Sequence, residues 1–301
     1  MVRRRALGDV TRGARAAFAA TALAGALAFG PAQADVVAVD DAGATIRLAQ
    51  PARRIVSLAP HATELLFAAG AGARVVGVVA GSNFPPAAAG IPVVGDANAI
   101  DLERLVALAP DLVVTWPYTT SAQLDAIRRR GIAVFTSDAR SIDGVGVDLE
   151  RIGTLAGTPG AAARAARAFR AAIEAARPRP GASREPTRVF YEIWGAPIFT
   201  IGGHHLISEA IALCGGVNVF ADLGVAAPVV DEEAVIAAAP QVIVAGADDA
   251  RRPPWLDAWR RWPQIPAVRD GRLRVVDANL LHRAGPRFAQ GVAALCAAIR
   301  D

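Results

Sequence analysis

The chain has 301 residues, 53% of them hydrophobic and 20% charged, with a formal net charge of +4. That length accommodates two domains with cores of their own, and beyond the amino terminus no apolar run approaches the length that spans a bilayer. All 32 basic residues are arginine, so a P-loop lysine is excluded, and neither a G-x-S-x-G elbow nor an H-E-x-x-H pair occurs.

Residues 1–34 read as a secretory signal. Arg3, Arg4, Arg5, Arg12 and Arg15 supply its charge, residues 16–30 its apolar stretch, and Ala32-Gln33-Ala34 its small-residue cleavage site. Cleavage predicts Asp35 as the mature amino terminus and the periplasm as destination. Losing five arginines and Asp9 leaves 27 basic and 27 acidic residues. The mature chain is then formally neutral, which is no nucleic-acid footprint.

The first predicted strand is RIVSL at 54–58. Ala59-Pro60 turns the chain into a helix over 63–69, which Gly70 and Gly72 end. GAGA at 70–73 therefore follows a helix rather than a strand and is no dinucleotide fingerprint. A strand at 75–79, a loop fixed by Pro85-Pro86 and a short strand at 92–94 come next. Residues 100–116, IDLERLVALAPDLVVTW, follow and have an ungapped echo at 230–246, VDEEAVIAAAPQVIVAG. Each copy starts with an Asp that caps a helix, has a Glu in the first turn that complements the helix dipole, meets a Pro that stops the helix, and ends in an apolar strand. A helix at 121–130 and a strand at 133–136 complete the first half.

Helices at 142–155 and 161–176, interrupted at Thr158-Pro159-Gly160, form the connection, with a loop over 178–186. The second half reads as a strand at 188–191, a helix at 205–214, the echo unit, a Trp-rich and partly exposed helix at 255–262, a strand at 272–276, a loop at 278–286 and a closing helix at 287–300. A unit repeated once is too sparse for a solenoid. It predicts an α/β fold of two similar lobes, each a central sheet flanked by helices, joined by a rigid interlobe helix. The boundaries are 1–34 for the signal, 52–145 for the N-terminal lobe, 146–177 for the helical connection and 186–301 for the C-terminal lobe. A helical connection is stiff, so large hinge closure is not expected.

Two facing lobes make a cleft, a favoured place for ligands, beyond the carboxyl ends of parallel strands. Trp116 and Trp194 follow such ends, Phe84 and Tyr118 lie in adjoining loops, and Arg283 sits near Asn279 and His282. Aromatic walls with a few polar anchors suit a large, flat, partly polar guest. His61, His204, His205 and His282 lack tight metal-ligand spacing, so structural or solvated roles and no metal site are expected. Helix electrostatics explains Glu103 and Glu233, yet pseudo-symmetric lobes would also offer them as a matched pair to arginines of a two-fold partner. Cys214 and Cys296, an even pair in an oxidising compartment, read as one disulfide; two buried thiols are the alternative.

At these residues the chain resembles the periplasmic cobalamin-binding proteins of ABC importers and, more broadly, the Fe/cobalamin substrate-binding family with a rigid interlobe helix (class III periplasmic binding proteins). The resemblance spans most of residues 52–300. It rests on RIVSLAPHATELLFAAGA, the NFPP loop, DLERLVALAPDLVV with Trp116, RVF followed by Phe199-Thr200, LCGGVNVF at 213–220, DEEAV, RAGPR at 283–287 and LCAAI at 295–299. It implies a corrinoid held in the cleft, with Trp116 and Arg283 on ligand contact. It carries Glu103 and Glu233 onto salt bridges with the two subunits of a permease dimer at the inner membrane, and pairs Cys214 with Cys296. The implied protein is a monomeric binding protein with cobalamin as transported ligand, no cofactor of its own and no enzymatic step.

Gly81, Ala97, Ile193 and Ala227 stand where the cobalamin pattern has aromatics, with Phe84, Tyr118 and Trp194 compensating. Haem or a ferric siderophore is therefore the alternative guest, with His282 approaching a bound metal centre. A metal-dependent enzyme acting on tetrapyrroles would need clustered histidines or acids, and zinc capture is opposed by the scatter of the histidines.

Overall fold

The computed structural model describes residues 35–96, 99–178 and 185–300. The signal at 1–34, Ala97 and most of the 178–186 loop lie outside these described residues.

The first described element is a hairpin, β1 (Val36–Val39) with β2 (Thr45–Leu48), ahead of the lobe start expected at Ala52. Next come β3 (Ile55–Ser57), α1 (Pro60–Ala68), β4 (Val75–Val78), α2 (Leu102–Ala107), β5 (Leu112–Thr115), α3 (Ser121–Arg128) and β6 (Ala133–Thr136). The sheet order is β4-β3-β5-β6, all parallel. Every residue of β5 is buried, as a central parallel strand covered on both faces requires. The hairpin joins this lobe through β6: Asp40 Oδ2 accepts from Thr136 N at 3.0 Å, and Asp41 N donates to Thr136 O at 3.1 Å.

The connection is α4 (Ile142–Leu155) and α5 (Pro159–Ala176). Pro159 opens α5 rather than breaking it, because a first-turn N–H has no helical partner to lose. Helical spacing puts Ile142, Val145, Leu149, Ile152 and Leu155 on one buried stripe. Gly153 lets the two helices touch: a Cβ there would lie 2.1 Å from Ala162 Cβ. One apolar cluster runs from Leu65 and Leu66 of the first half through Leu149, Ile152, Phe169 and Ile173 to Ile207, Ile211 and Leu295 of the second. A shared core of this kind resists hinge motion, because opening would expose it to water.

The second half holds β7 (Thr187–Gly195), β8 (Ile198–Thr200), α6 (Leu206–Leu213), β9 (Gly216–Asn218), β10 (Val229–Val230), α7 (Glu232–Ala238), β11 (Val242–Ala247), α8 (Pro254–Ala258), α9 (Pro266–Arg269), β12 (Leu273–Asp277), α10 (Ala278–Leu281) and α11 (Phe288–Arg300). Its sheet runs β10-β8-β7-β11-β12, with β9 also paired to β7. β7, β9, β11 and β12 are parallel; β8 is antiparallel to both of its neighbours, β7 and β10.

The repeated unit recurs in detail. Asp101 accepts from Arg104 N at 2.9 Å and Asp231 from Ala234 N at 2.7 Å. Ala109 and Ala239, each just before the Pro, take left-handed φ values of 44° and 42°. A residue before Pro is barred from the right-handed helical region, and for Ala the left-handed one costs about 1–2 kcal/mol. Glycine does not meet that penalty but loses more chain entropy on folding. Ala109→Gly and Ala239→Gly are therefore each expected to stabilise by up to about 1 kcal/mol, read as a rise in the urea midpoint.

Two expectations are corrected. Residues 92–94 form only a single bridge, Val78 to Val93. The stretch 278–286 is not all loop: Asp277 accepts from Asn279 N at 2.8 Å and caps the short helix α10. Within the Trp-rich segment Trp259 is buried and donates through Nε1 to Glu192 Oε2 at 2.9 Å. Burial raises the pKa of Glu192 to about 8. The unfolded chain releases this proton near pH 4.5 and the folded chain near 8, so stability falls as pH rises across that window. Glu192→Gln keeps an acceptor and cannot ionise. Denaturation at pH 5 and pH 9 should show a smaller alkaline loss in the variant than in the parent.

Candidate functional site

The carboxyl ends of the strands gather the chemistry. β3 leads through Ala59 to His61 at the start of α1, and β5 leads directly to Trp116. The His61 and Trp116 ring centroids lie 6.1 Å apart, and Tyr118 meets Trp116 edge-on at 4.9 Å. Thr115 Oγ1 and Thr119 Oγ1, 2.6 Å apart, hold the turn that carries these two aromatics. Tyr118 is 70% exposed. Burial, aided by the charge of Arg283, lowers the His61 pKa to about 4, so its imidazole is neutral at pH 7.

Arg283 reaches from the second half to the first. Its Nη1 donates to Asn83 Oδ1 at 2.8 Å and Glu64 Oε1 at 3.2 Å. Its Nη2 donates to Asn279 Oδ1 at 2.7 Å and Gly81 O at 3.4 Å. Four of its five N–H groups are thus committed within the protein, and among the described residues Nε–H is the one left over. Glu64 is also held in a fork by Arg287, Nε to Oε2 at 2.9 Å and Nη2 to Oε1 at 2.6 Å. The Glu64 side chain is 1% exposed. Arg287 in turn stacks over the Phe84 ring, 4.1 Å from its centroid.

Sequence reasoning missed Glu64 and Arg287. The available signal was a single acid inside the apolar helix TELLFAA, since a buried carboxylate requires a partner. Phe84 lines, with Glu64, Phe67, Ala68, Pro85 and Pro286, an apolar cavity of about 270 Å³. That is below the usual span of ligand pockets.

On the other side, β12 leads into α10 and then to His282. His282 Nε2 lies 3.0 Å from the Tyr191 hydroxyl. Gly246, at the end of β11, lies beneath this pair. His205 is a cap: its Nδ1 accepts from Ile207 N at 3.1 Å, so it behaves as the structural histidine expected. Trp194 is 56% exposed and donates through Nε1 to Ala196 O at 3.1 Å.

The structure thus joins Trp116, Tyr118 and His61 in one cluster and joins Arg283 with Asn279 and the Phe84 loop. His282 is tied to Tyr191, and among the described residues Trp194 makes no ring contact with the other site aromatics. Glu103 and Glu233 are exposed in the first turns of α2 and α7, whereas Glu232 turns to Arg261. Cys214 and Cys296 form a disulfide between the end of α6 and α11. Among the described residues no group of three or more His, Cys, Asp or Glu could hold a metal ion, and no helix there is long and apolar enough to cross a membrane.

Residues 55–280 match the model of a family described as periplasmic binding protein. The chain is 34% identical over 248 residues to the vitamin B12-binding protein of Vibrio cholerae serotype O1, covering 82% of this chain and 88% of that one. The crystal structure of periplasmic vitamin B12 binding protein BtuF of Vibrio cholerae matches with a TM-score of 0.74 and 34% identity, over 83% of this chain and 97% of that one. The periplasmic heme-binding protein RhuT from Roseiflexus sp. RS-1 in apo form matches with a TM-score of 0.70 and 27% identity, over 82% and 97%.

Proposed function

The chain belongs to the periplasmic binding protein family, and on that premise we propose that it captures cobalamin or a related corrinoid and delivers it to an ABC importer. The observation that carries this is the 34% identity to a vitamin B12-binding protein, which extends over 82% of the chain and so includes both halves. The chemistry of the strand ends supports it. Trp116 and Tyr118 offer aromatic area to a flat macrocycle, while polar groups nearby suit its amide-bearing rim. Because most Arg283 donors are already engaged, Arg283 acts chiefly by holding the two halves together beside the guest, with its Nε–H as its remaining contact. Phe84 and Trp194 complete the aromatic set, Asn279 and His282 the polar one.

In this reading residues 1–34 direct export and are removed, residues 52–145 and 186–301 are the gripping lobes, and 146–177 is the spacer between them. Glu103 and Glu233 dock onto arginines of a permease dimer, with the monomer sitting peripherally on the inner membrane. The protein performs no covalent chemistry.

Titration of the apo protein with cyanocobalamin tests the ligand; no binding at micromolar concentration overturns it. Replacing Glu103 and Glu233 together by Ala should leave cyanocobalamin affinity unchanged. The same change should weaken binding to the reconstituted permease about tenfold or more, since each removes one partner of a charge pair. Haem or ferric-siderophore capture is the second reading, favoured by the 27% identity to a heme-binding protein and by the exposed Tyr118 phenol. A ferric haem spectrum altered by Tyr118→Phe would select it.

A further inference from the structure

We propose that Tyr191 holds His282 as the Nδ1–H tautomer, so that the imidazole donates a hydrogen bond to an oxygen of the guest and is withheld from metal ligation. The guest-facing half of this proposal rests on the tetrapyrrole-type ligand proposed above; the tautomer itself does not.

The phenol decides the tautomer. Tyr191, on β7, has no solvent-exposed surface. Burial, with the charge of Asp277, raises its pKa and keeps it protonated. A hydroxyl hydrogen sealed from water needs an acceptor. Among the described residues its partner is His282 Nε2, at 3.0 Å. Asp277, whose charge reaches both groups, is engaged by Asn279, whose N and Nδ2 donate to Oδ1 at 2.8 Å and 3.2 Å.

If Nε2 carried the proton, the ring would donate into the phenol oxygen and the hydroxyl hydrogen would be stranded. That loss favours the Nδ1–H form by about tenfold or more. Gly246 makes the contact possible, because a Cβ there would lie 2.5 Å from both His282 Nε2 and the Tyr191 hydroxyl.

The other ring nitrogen is open. Nδ1 of His282 has no partner among the described residues, and the residue is exposed. Desolvation lowers its pKa to about 4, with the charges of Asp248 and Asp277 opposing. At neutral pH the group is therefore an uncharged donor. It stands just after α10, beside Arg283 and beyond the carboxyl end of β12, where a guest would lie. An N–H there suits an amide carbonyl or carboxylate on the rim of a macrocycle. It does not suit cobalt or iron, since the Nε2 lone pair accepts from the phenol and Nδ1 carries the proton.

Long-range ¹⁵N–¹H spectra of the full mature protein at neutral pH test the tautomer, with His282→Gln assigning the signals. A pyrrole-like Nδ1 and pyridine-like Nε2 are expected, moving toward the Nε2–H form in Tyr191→Phe. A pyridine-like Nδ1 in the parent overturns the proposal whether or not any tetrapyrrole binds.

Aquocobalamin and cyanocobalamin test the rest. Bound aquocobalamin should keep the spectrum of water-ligated cobalt, and His282→Phe should weaken cyanocobalamin binding about tenfold. A nitrogen-ligated cobalt spectrum that His282→Gln abolishes overturns the withholding from metal, and unchanged affinity in His282→Phe overturns the donor role. If neither corrinoid binds, the ligand assignment fails and the spectra alone decide the tautomer.

Discussion

Replacing Glu64 by Leu should destabilise the protein by about 3–5 kcal/mol, because it strips the counter-charge from two partly buried guanidinium groups. Arg283 and Arg287 both point at this carboxylate, at 3.2 Å and 2.6 Å, and each side chain is only 16% exposed. A guanidinium keeps its proton in a protein, so deprotonation does not relieve the uncompensated charge. The cost is the desolvation of uncompensated charge, not the modest net value of the ion pair. Replacing Glu64 and Arg287 together by apolar residues should therefore recover part of the loss. For a chain of this size a loss of about 3–5 kcal/mol lowers Tm on the order of 10 °C. Thermal unfolding of the two variants checks it; a Glu64→Leu change within the error of the parent would sink the argument.

The same pair of variants reads out the grip between the halves. Glu64 belongs to α1 and the two arginines to the 283–287 segment, so the fork crosses the seam. Glu209 makes a second crossing, its Oε2 accepting from Ile142 N at 2.7 Å at the start of α4. With the apolar cluster that continues through α4 and α5, these contacts keep the strand ends at a set spacing in the absence of ligand. Under the proposed function, a guest bound beside the seam would be spared the ordering cost of closure.

Breaking the disulfide is the second large effect. Cys214 and Cys296 are 82 residues apart and both sulfur-bearing residues are buried. Closing a loop of that length restrains the unfolded chain by about 4.5 kcal/mol in the chain-entropy model. Cys214→Ala with Cys296→Ala should lower stability by about that amount and raise the denaturant slope, because the uncrosslinked chain exposes more surface when it unfolds. Urea unfolding of the double variant measures both. A lower midpoint at unchanged slope would place the effect in lost native packing instead.

Much of the fold was legible along the chain. The repeated Asp-x-Glu helix starts, the Pro stops and the buried strands LVV and VIV each carry their signal within one turn or one strand, and they appear where the periodicity put them. α4 matches its expected limits of 142–155. Three of the short strands did not announce themselves: β8, β9 and β10 are too short for alternation to register, and they exist because β7 offers a partner to β8 and β9, and β8 in turn to β10. α10 escaped for a related reason: its Asp277 cap falls between the strand read at 272–276 and the loop read at 278–286, and four residues are too few for helical periodicity to register.

The site divides the same way. Trp116, Tyr118 and Arg283 could be singled out because residue type and place relative to a strand end are properties of sequence, as were the two cysteines and the motifs that carry the family. Which groups meet was decided in space. Glu64 finds Arg287 across 223 positions and Tyr191 finds His282 across 91, separations that leave no periodic trace. Helix, strand and cap come from short-range sterics and hydrogen bonding, which a local window contains. The committed donors of Arg283 come from packing two halves together and the held imidazole of His282 from packing within the second half; both bring partners within bonding distance only once the chain is folded.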